Sequence, residues 1–318
     1  MQVKWSKSWK TPADFLDDFL KGKLLGEWGN AEIAKPYAER HPIMQYYHDV
    51  CDWQRKMEHT RDANGIFGGV ASGSVRAYYS LAYDLYALEH LSVLEPLMLK
   101  RLKHADQFQG MRYELYVIAT LLRAGFKVEL EDERDGSRTH CELTATHKGS
   151  GRRFSVEAKA RGRPGLLGKV GVRQEPDEIR ASIYTILRRA LLKEADHDLI
   201  VFIDVNMPPD DREMFDKEWF KECAGTVEKL EDKQSKDDPY PAAFIVLTNY
   251  PNHYVGNDDV DPGQTSYLTA INRPEFADAE NAETVLQMHP EIGQLWFSVV
   301  NHTRVPERFD DSIETQKE

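Results

Sequence analysis

The sequence is poor in cysteine. Three occur in 318 residues, Cys51, Cys141 and Cys223, far apart and with no C-x-x-C pair. That argues against a disulfide framework and against a cysteine-built zinc knuckle, and it fits a reducing cytoplasm. Also missing is any run of about 18 apolar residues, so no segment is expected to span a membrane. The opening Met1-Gln2-Val3-Lys4-Trp5-Ser6-Lys7 is followed by no apolar stretch, and a secretory signal is not expected. No repeat and no long low-complexity tract is present. The glycine-rich Gly65-Ile66-Phe67-Gly68-Gly69-Val70-Ala71-Ser72-Gly73 lacks the Gly-Lys-Ser/Thr of a phosphate loop, so it reads as a turn-rich connection. Without a G-x-S-x-G elbow, nucleophilic-serine chemistry has no signature.

Positive charge is in deficit as well. Lysine and arginine number 41 against 53 acidic residues, a net charge of -12. A protein that coats nucleic acid indiscriminately is thereby disfavoured, whereas an enzyme with a local basic groove is not. What is plentiful is core material: 41% hydrophobic and 10% aromatic residues, enough for one large domain or two ordinary ones.

Residues 1–105 read as a helical N-terminal region. Thr11-Pro12 opens a helix through Leu20, and Ser74 to Leu91 carries Tyr78, Leu81, Ala82, Leu85 and Leu88 on one side. Residues 106–306 read as an α/β core with a C-terminal elaboration, and 307–318 as a polar tail. In the core, a helix from Met111 to Ala124 is closed by Gly125. Strands are expected at Phe126–Leu130, Cys141–Thr146 and Arg153–Ala158, with a hairpin at Lys148-Gly149-Ser150-Gly151. A helix is expected from Pro176 to about Glu194, a buried strand at Leu199–Val205, a helix from Phe215 to about Leu230, and a buried strand at Ala242–Leu247. Glu283 to Val300 gives a last apolar element. The order implies an α/β fold, a mixed sheet with helices on both faces.

The residues that carry chemistry cluster in the hairpin. In Phe154-Ser155-Val156-Glu157-Ala158-Lys159 the side chains alternate, so Glu157 and Lys159 share a face about 7 Å apart. A carboxylate there holds a divalent cation, and a lysine beside it orients or deprotonates water and screens phosphate charge. Glu142, fifteen positions before Glu157, sits on the preceding run and can approach the same point. Converging carboxylates suit Mg²⁺, which takes oxygen ligands. Glu114, on the helix before the first strand, is the third acid.

A helix with a glutamate, a Gly-aromatic turn, a strand, an acid, a hairpin and then Val-Glu-Ala-Lys resembles the PD-(D/E)XK, or restriction-endonuclease-like, nuclease superfamily over about residues 108 to 205. The resemblance implies a Mg²⁺-dependent endonuclease, a hydrolase of phosphodiester bonds, with Mn²⁺ as a substitute metal. Glu142 takes the place of the first acid, Glu157 and Lys159 those of the second acid and the lysine, and Glu114 that of the helix glutamate. The Ala158 carbonyl would be a backbone metal ligand. The chain departs from the pattern at Cys141-Glu142, where an aspartate, often after proline, is usual; Asp135 is the alternative. DNA is the expected substrate and defence against foreign DNA a fitting role; RNA cleavage and a catalytically inactive binding or assembly protein are the rivals.

A basic island follows. Between Gly151 and Lys193, eleven basic residues meet four acidic ones. Arg161, Arg163, Lys169 and Arg173 stand on a Gly-rich loop and Arg180 near the start of the next helix, all expected to meet a nucleic-acid backbone. The resemblance also allows Arg180 or Tyr184 as an auxiliary polar residue. His140 and His147 flank the second strand without a third ligand at suitable spacing. The N-terminal helices, rich in tyrosine and tryptophan, would serve recognition, a partner protein or a homodimer.

Overall fold

Thr11 starts the first helix by a reciprocal cap. Its hydroxyl accepts from the Asp14 N–H at 3.3 Å, while the Asp14 carboxylate accepts from the Thr11 N–H at 2.8 Å. The structure is a computed structural model that describes residues 9–131, 141–255, 259–277 and 286–304. Asp135, His140 and the 307–318 tail lie outside the described residues.

The N-terminal region is built of α1 (Pro12–Leu20), α2 (Gly26–Ile33), α3 (Pro42–Met57), α4 (Gly73–His90) and α5 (Pro96–Leu102). Helix α4 buries Tyr78, Leu81, Ala82, Leu85 and Leu88, the stripe expected from the spacing. Residues 65–71 form turn and coil, as expected. The long α6 (Ala105–Arg123) begins well before Met111, and Gly125 closes it at φ +85, a conformation that a Cβ would strain.

The strands are β1 (Phe126–Leu130), β2 (Leu143–His147), β3 (Arg153–Ala160), β4 (Asp198–Asp204), β5 (Ala243–Asn249) and β6 (Thr265–Ile271). They lie side by side in chain order. Strands β1, β2 and β3 form an antiparallel meander; β3, β4 and β5 are parallel; β6 returns antiparallel. The antiparallel joins need only short turns, whereas the parallel joins need crossovers. These contain α7 (Tyr184–Leu191) and α8 (Glu218–Lys233), with α9 (Pro274–Ala277) and α10 (Pro290–Val300) following β6.

Two apolar layers sandwich the sheet. Phe154, Val156, Ala158, Phe202 and Phe244 join α6, α10 and the N-terminal helices in one; Val201, Ile203, Ile245 and Leu247 join α7 and α8 in the other. Strands buried on both faces read as continuous apolar runs, which is why β4 and β5 stand out in the sequence. The protein is thus α/β, a six-stranded mixed sheet carrying a helical N-terminal region. Among the described residues no helix is long and apolar enough to cross a membrane.

Three expectations need correction. The helix expected over residues 176–194 shrinks to α7, because the backbone before it is captured by distant side chains. Arg163 Nη2 donates to the Arg180 carbonyl, and the Glu222 carboxylate accepts from the Ala181 and Ser182 N–H groups at 2.9 and 2.7 Å. Ser182 then takes φ +47, outside the helical region. Strand β2 begins at Leu143, so Glu142 stands at its entry and not within it. Finally, β6 was not expected from the sequence: it is a half-exposed edge strand, Thr-Ser-Tyr-Leu-Thr-Ala-Ile, with no apolar run.

Candidate active site

Glu157 sits in the middle of β3, which is paired on both sides, with its side chain toward the α7 face. It is 0% exposed. A carboxylate removed so completely from water needs compensation. Two lysines provide it: Lys159 Nζ lies 2.7 Å and Lys193 Nζ 2.9 Å from Glu157 Oε1. Neither ammonium approaches with hydrogen-bond geometry, and both carboxylate oxygens lack a hydrogen-bond partner among the described residues. Charge is balanced there while acceptor capacity remains unused.

Glu142 reaches the same point from the start of β2. Its Oε1 accepts from Lys159 Nζ at 2.6 Å and its Oε2 from the Ala158 N–H at 3.0 Å. Lys159 therefore bridges two carboxylates. Burial drives the Glu142 pKa upward; Lys159 opposes that, Glu157 and Glu114 add to it, and the carboxyl settles at about 7. For Lys159 burial works to lower the pKa, but Glu142 and then Glu157 outweigh it, holding the amine above its ordinary value. Lys159 is consequently an ammonium at neutral pH, a donor and a counter-charge rather than a base.

The Ala158 peptide faces this cluster. The Val156 carbonyl accepts from the Glu142 N–H on the β2 side, and two residues on the Ala158 N–H bonds Glu142 on that same side. Strand alternation turns the Ala158 carbonyl that way too.

Glu114, on α6, is near enough to push the Glu142 pKa up, yet it is gripped by Arg101 of α5 at 2.7 and 2.9 Å. The structure thus gathers Glu142, Glu157, Lys159 and the Ala158 peptide, with Glu114 alongside but engaged elsewhere. Among the described residues no three His, Cys, Asp or Glu side chains are close enough together to hold a metal ion. Lys193 and Arg101 had no sequence signal. Lys193 follows Glu157 across the whole α7 crossover and Arg101 reaches Glu114 from the preceding helix, so only the fold brings them in.

The expected nucleic-acid contacts divide. Arg163 is 5% exposed; its guanidinium donates to the Asn206, Arg180 and Val205 carbonyls, and Gln109 binds its backbone. It anchors the loop from inside and is not available to a phosphate, because buried arginine donors are satisfied by carbonyls first. Arg161 is half-buried, its backbone N–H donating to the Asp204 carbonyl and its carbonyl accepting from Asn206. Lys169 is partly exposed, with Nζ over Gly162, and Arg173 is exposed with its guanidinium 5.6 Å from the Tyr254 ring centre. Between them Gly165, φ +68, lets the loop close: a Cβ there would collide with the Arg173 backbone. Arg180 is exposed but folded onto the Asp177 and Ile179 carbonyls. Tyr184 is exposed on α7. His147 is committed to the hairpin, its ring nitrogens meeting Ser150 Oγ and Gln294 Oε1.

A second buried carboxylate lies beyond the cluster, at the end of β4. Burial raises the Asp204 pKa; Arg112, the Asn206 N–H and Arg163 oppose this, and the carboxyl settles at about 7. Thr248 connects it to Tyr113 of α6. The chain matches no family model, no curated protein and no solved structure, so the cluster's reading rests on its own geometry.

Proposed function

We propose that this protein is a metal-dependent nuclease of the PD-(D/E)XK type that hydrolyses phosphodiester bonds, with DNA as substrate. The observation that carries the reading is Glu157: a fully buried carboxylate with both oxygens unbonded, joined through Lys159 to Glu142. Burying such a group costs several kcal/mol, which a purely structural role does not repay when an apolar side chain would fill the space. The run α6, β1, β2, β3, α7, β4 supports it too, being a helix, a three-strand meander, a helix and a parallel strand, the order implied by the sequence resemblance.

The donor set fits Mg²⁺, with Mn²⁺ as substitute. Glu157, Glu142 and the Ala158 carbonyl would hold it, since the unbonded Glu157 oxygens are hard acceptors and the Lys159 ammonium already marks a cation seat between the two carboxylates. Such an ion would supply positive charge to an attacking water and to the phosphate. Lys159, released from the bridge, would donate to a phosphate oxygen in the transition state. Lys193 would remain as counter-charge to Glu157. Glu114 would join once freed from Arg101. Lys169 and Arg173 would meet the backbone phosphates. One water is consumed, giving a phosphomonoester and a free hydroxyl.

A second reading, a nucleic-acid-binding protein without catalysis, is favoured by two facts: two ammoniums already satisfy Glu157 by charge, and no three-ligand group is preformed among the described residues. The test is cleavage of supercoiled plasmid, linear duplex, single-stranded DNA and RNA with Mg²⁺, Mn²⁺ or EDTA, beside Glu157→Gln and Lys159→Ala. Metal-dependent cutting that disappears in both variants supports the nuclease, and the substrate cut chooses between DNA and RNA. Binding of DNA without cutting, together with no Mn²⁺ uptake by calorimetry, selects the silent binder.

A further inference from the structure

The Gly65–Gly73 segment has no part in the proposed nuclease site, yet it walls a cavity of about 990 Å³ between α1, α3, α4 and the end of the chain's described part. This is the size of a small-molecule site. Its lining is of three kinds. Trp53, Phe67 and Tyr79 supply aromatic surface, with the Trp53 and Phe67 ring centres 6.3 Å apart and tilted 44°. Lys10, Arg61, Arg76 and Arg304 supply positive charge. The loop supplies backbone: the Gly69 and Val70 N–H groups have no protein partner among the described residues.

Two of those cations are engaged, Arg61 by Glu58 at 2.5 and 2.7 Å and Arg76 by Asp261 at 2.9 Å, and so are the two carboxylates in the wall. Asp14 is spent on the Thr11 cap, and Asp17 takes Lys21 and the Tyr78 hydroxyl. Lys10 and Arg304 have no side-chain partner among the described residues, and Lys10 Nζ packs against Gly65 at the mouth. Arg61 lies 4.9 Å from the centre of the Phe67 ring, so a cation already sits on the aromatic platform. With both wall carboxylates occupied, Lys10 and Arg304 are the cations of the wall left for a ligand. Flat aromatic surface takes a planar ring, and unpaired cations with free amides take phosphate oxygens. Few ligands carry both.

We infer that this cavity binds a phosphorylated nucleoside, the base on Trp53 and Phe67 and the phosphates toward Lys10 and Arg304. The site stands apart from the carboxylate cluster and does not depend on its being a nuclease. The source is a free nucleotide or the phosphorylated end of a strand; the chemistry is shared.

The test titrates the full chain with ATP, GTP, adenosine, inorganic triphosphate and a 5′-phosphorylated oligonucleotide, followed by calorimetry and tryptophan fluorescence. ATP or GTP should bind at least tenfold more tightly than adenosine or triphosphate alone. Binding of the oligonucleotide alone would assign the same site to a strand end. Lys10→Ala, an exposed position, should weaken binding at least tenfold without changing the melting temperature, and Trp53→Phe should restore what Trp53→Ala loses. Glu157→Gln should leave binding unchanged, which separates this site from the cluster. No binding of any probe at 1 mM, or binding indifferent to Lys10→Ala, overturns the assignment.

Discussion

Glu157 and Asp204 are carboxylates buried toward the carboxyl ends of adjacent parallel strands, on opposite faces of one sheet. They are kept there differently. Glu157 has two ammoniums at contact distance and no hydrogen bond among the described residues. Asp204 is in no ion pair among the described residues; it accepts from Thr248 and the Asn206 backbone, and burial keeps its proton on up to about pH 7. A buried carboxylate can thus be paired with ammoniums and left under-bonded, or hydrogen-bonded and held at a raised pKa. On the proposed function the first arrangement leaves acceptors for a metal ion; the second ties the end of β4 to β5 and α6 through Thr248, at a cost in stability at neutral pH.

Function offers the widest way to break this comparison. Glu157→Gln keeps shape and loses charge, and cleavage should fall by about 10³-fold, within the span seen for catalytic groups. Asp204→Asn should keep cleavage within about tenfold. Equal losses in the two variants, measured as single-turnover rates on the preferred substrate, would remove the distinction.

Stability against pH comes next. Asp204 keeps its proton in the folded state to about pH 7, whereas the unfolded chain releases it near the ordinary 3.8. A raised carboxyl pKa costs stability as pH rises from 3.8 toward 7, with no further loss above. The cost reaches roughly 4 kcal/mol. Asp204→Asn has no such titration, so its stability relative to the parent should grow from pH 4 to pH 8 in urea titrations. A gap that is flat across that range would show that Asp204 is charged throughout.

Lys193→Ala should cost less, about 1–2 kcal/mol, because Lys193 keeps 26% of its side-chain surface in solvent and Lys159 still pairs with Glu157. Metal changes the sign: saturating Mn²⁺ should recover most of that loss in a thermal melt, by binding where charge was removed. The smallest effects belong to the loop. Lys169→Ala and Arg173→Ala should each weaken DNA binding alike for all sequences and lower the salt slope by about 1. Arg163→Ala should instead lower the melting temperature, since it leaves the buried Asn206, Arg180 and Val205 carbonyls without the guanidinium that they accept from.

How much of this was legible in the sequence depended on range. Thr11-Pro12, Gly125 and the Lys148–Gly151 hairpin are local signals, and the elements appear where those residues put them. Strands β4 and β5 are legible because burial on both faces leaves an unbroken apolar run. Strand β6 is not, because an edge strand tolerates the polar residues of Thr265–Ile271. The helix before β4 was overestimated because Glu222 and Arg163, distant in sequence, take over the backbone of residues 180–182. Within the candidate site, Glu142, Glu157 and Lys159 could be placed together because a short hairpin fixes their register. The burial of Glu157, the arrival of Lys193 and the hold of Arg101 on Glu114 are products of tertiary packing, for which no spacing rule exists.

The order of the strands has a kinetic consequence. Since each strand pairs with its neighbour in the chain, the sheet can grow from β1 as the polypeptide leaves the ribosome, with no strand to be threaded later between two others. The β2–β3 hairpin can therefore bring Glu142, Glu157 and Lys159 together before Lys193 has folded into place. During that interval one lysine alone faces two carboxylates, so the charge balance of Glu157 is completed only when the crossover after β3 docks.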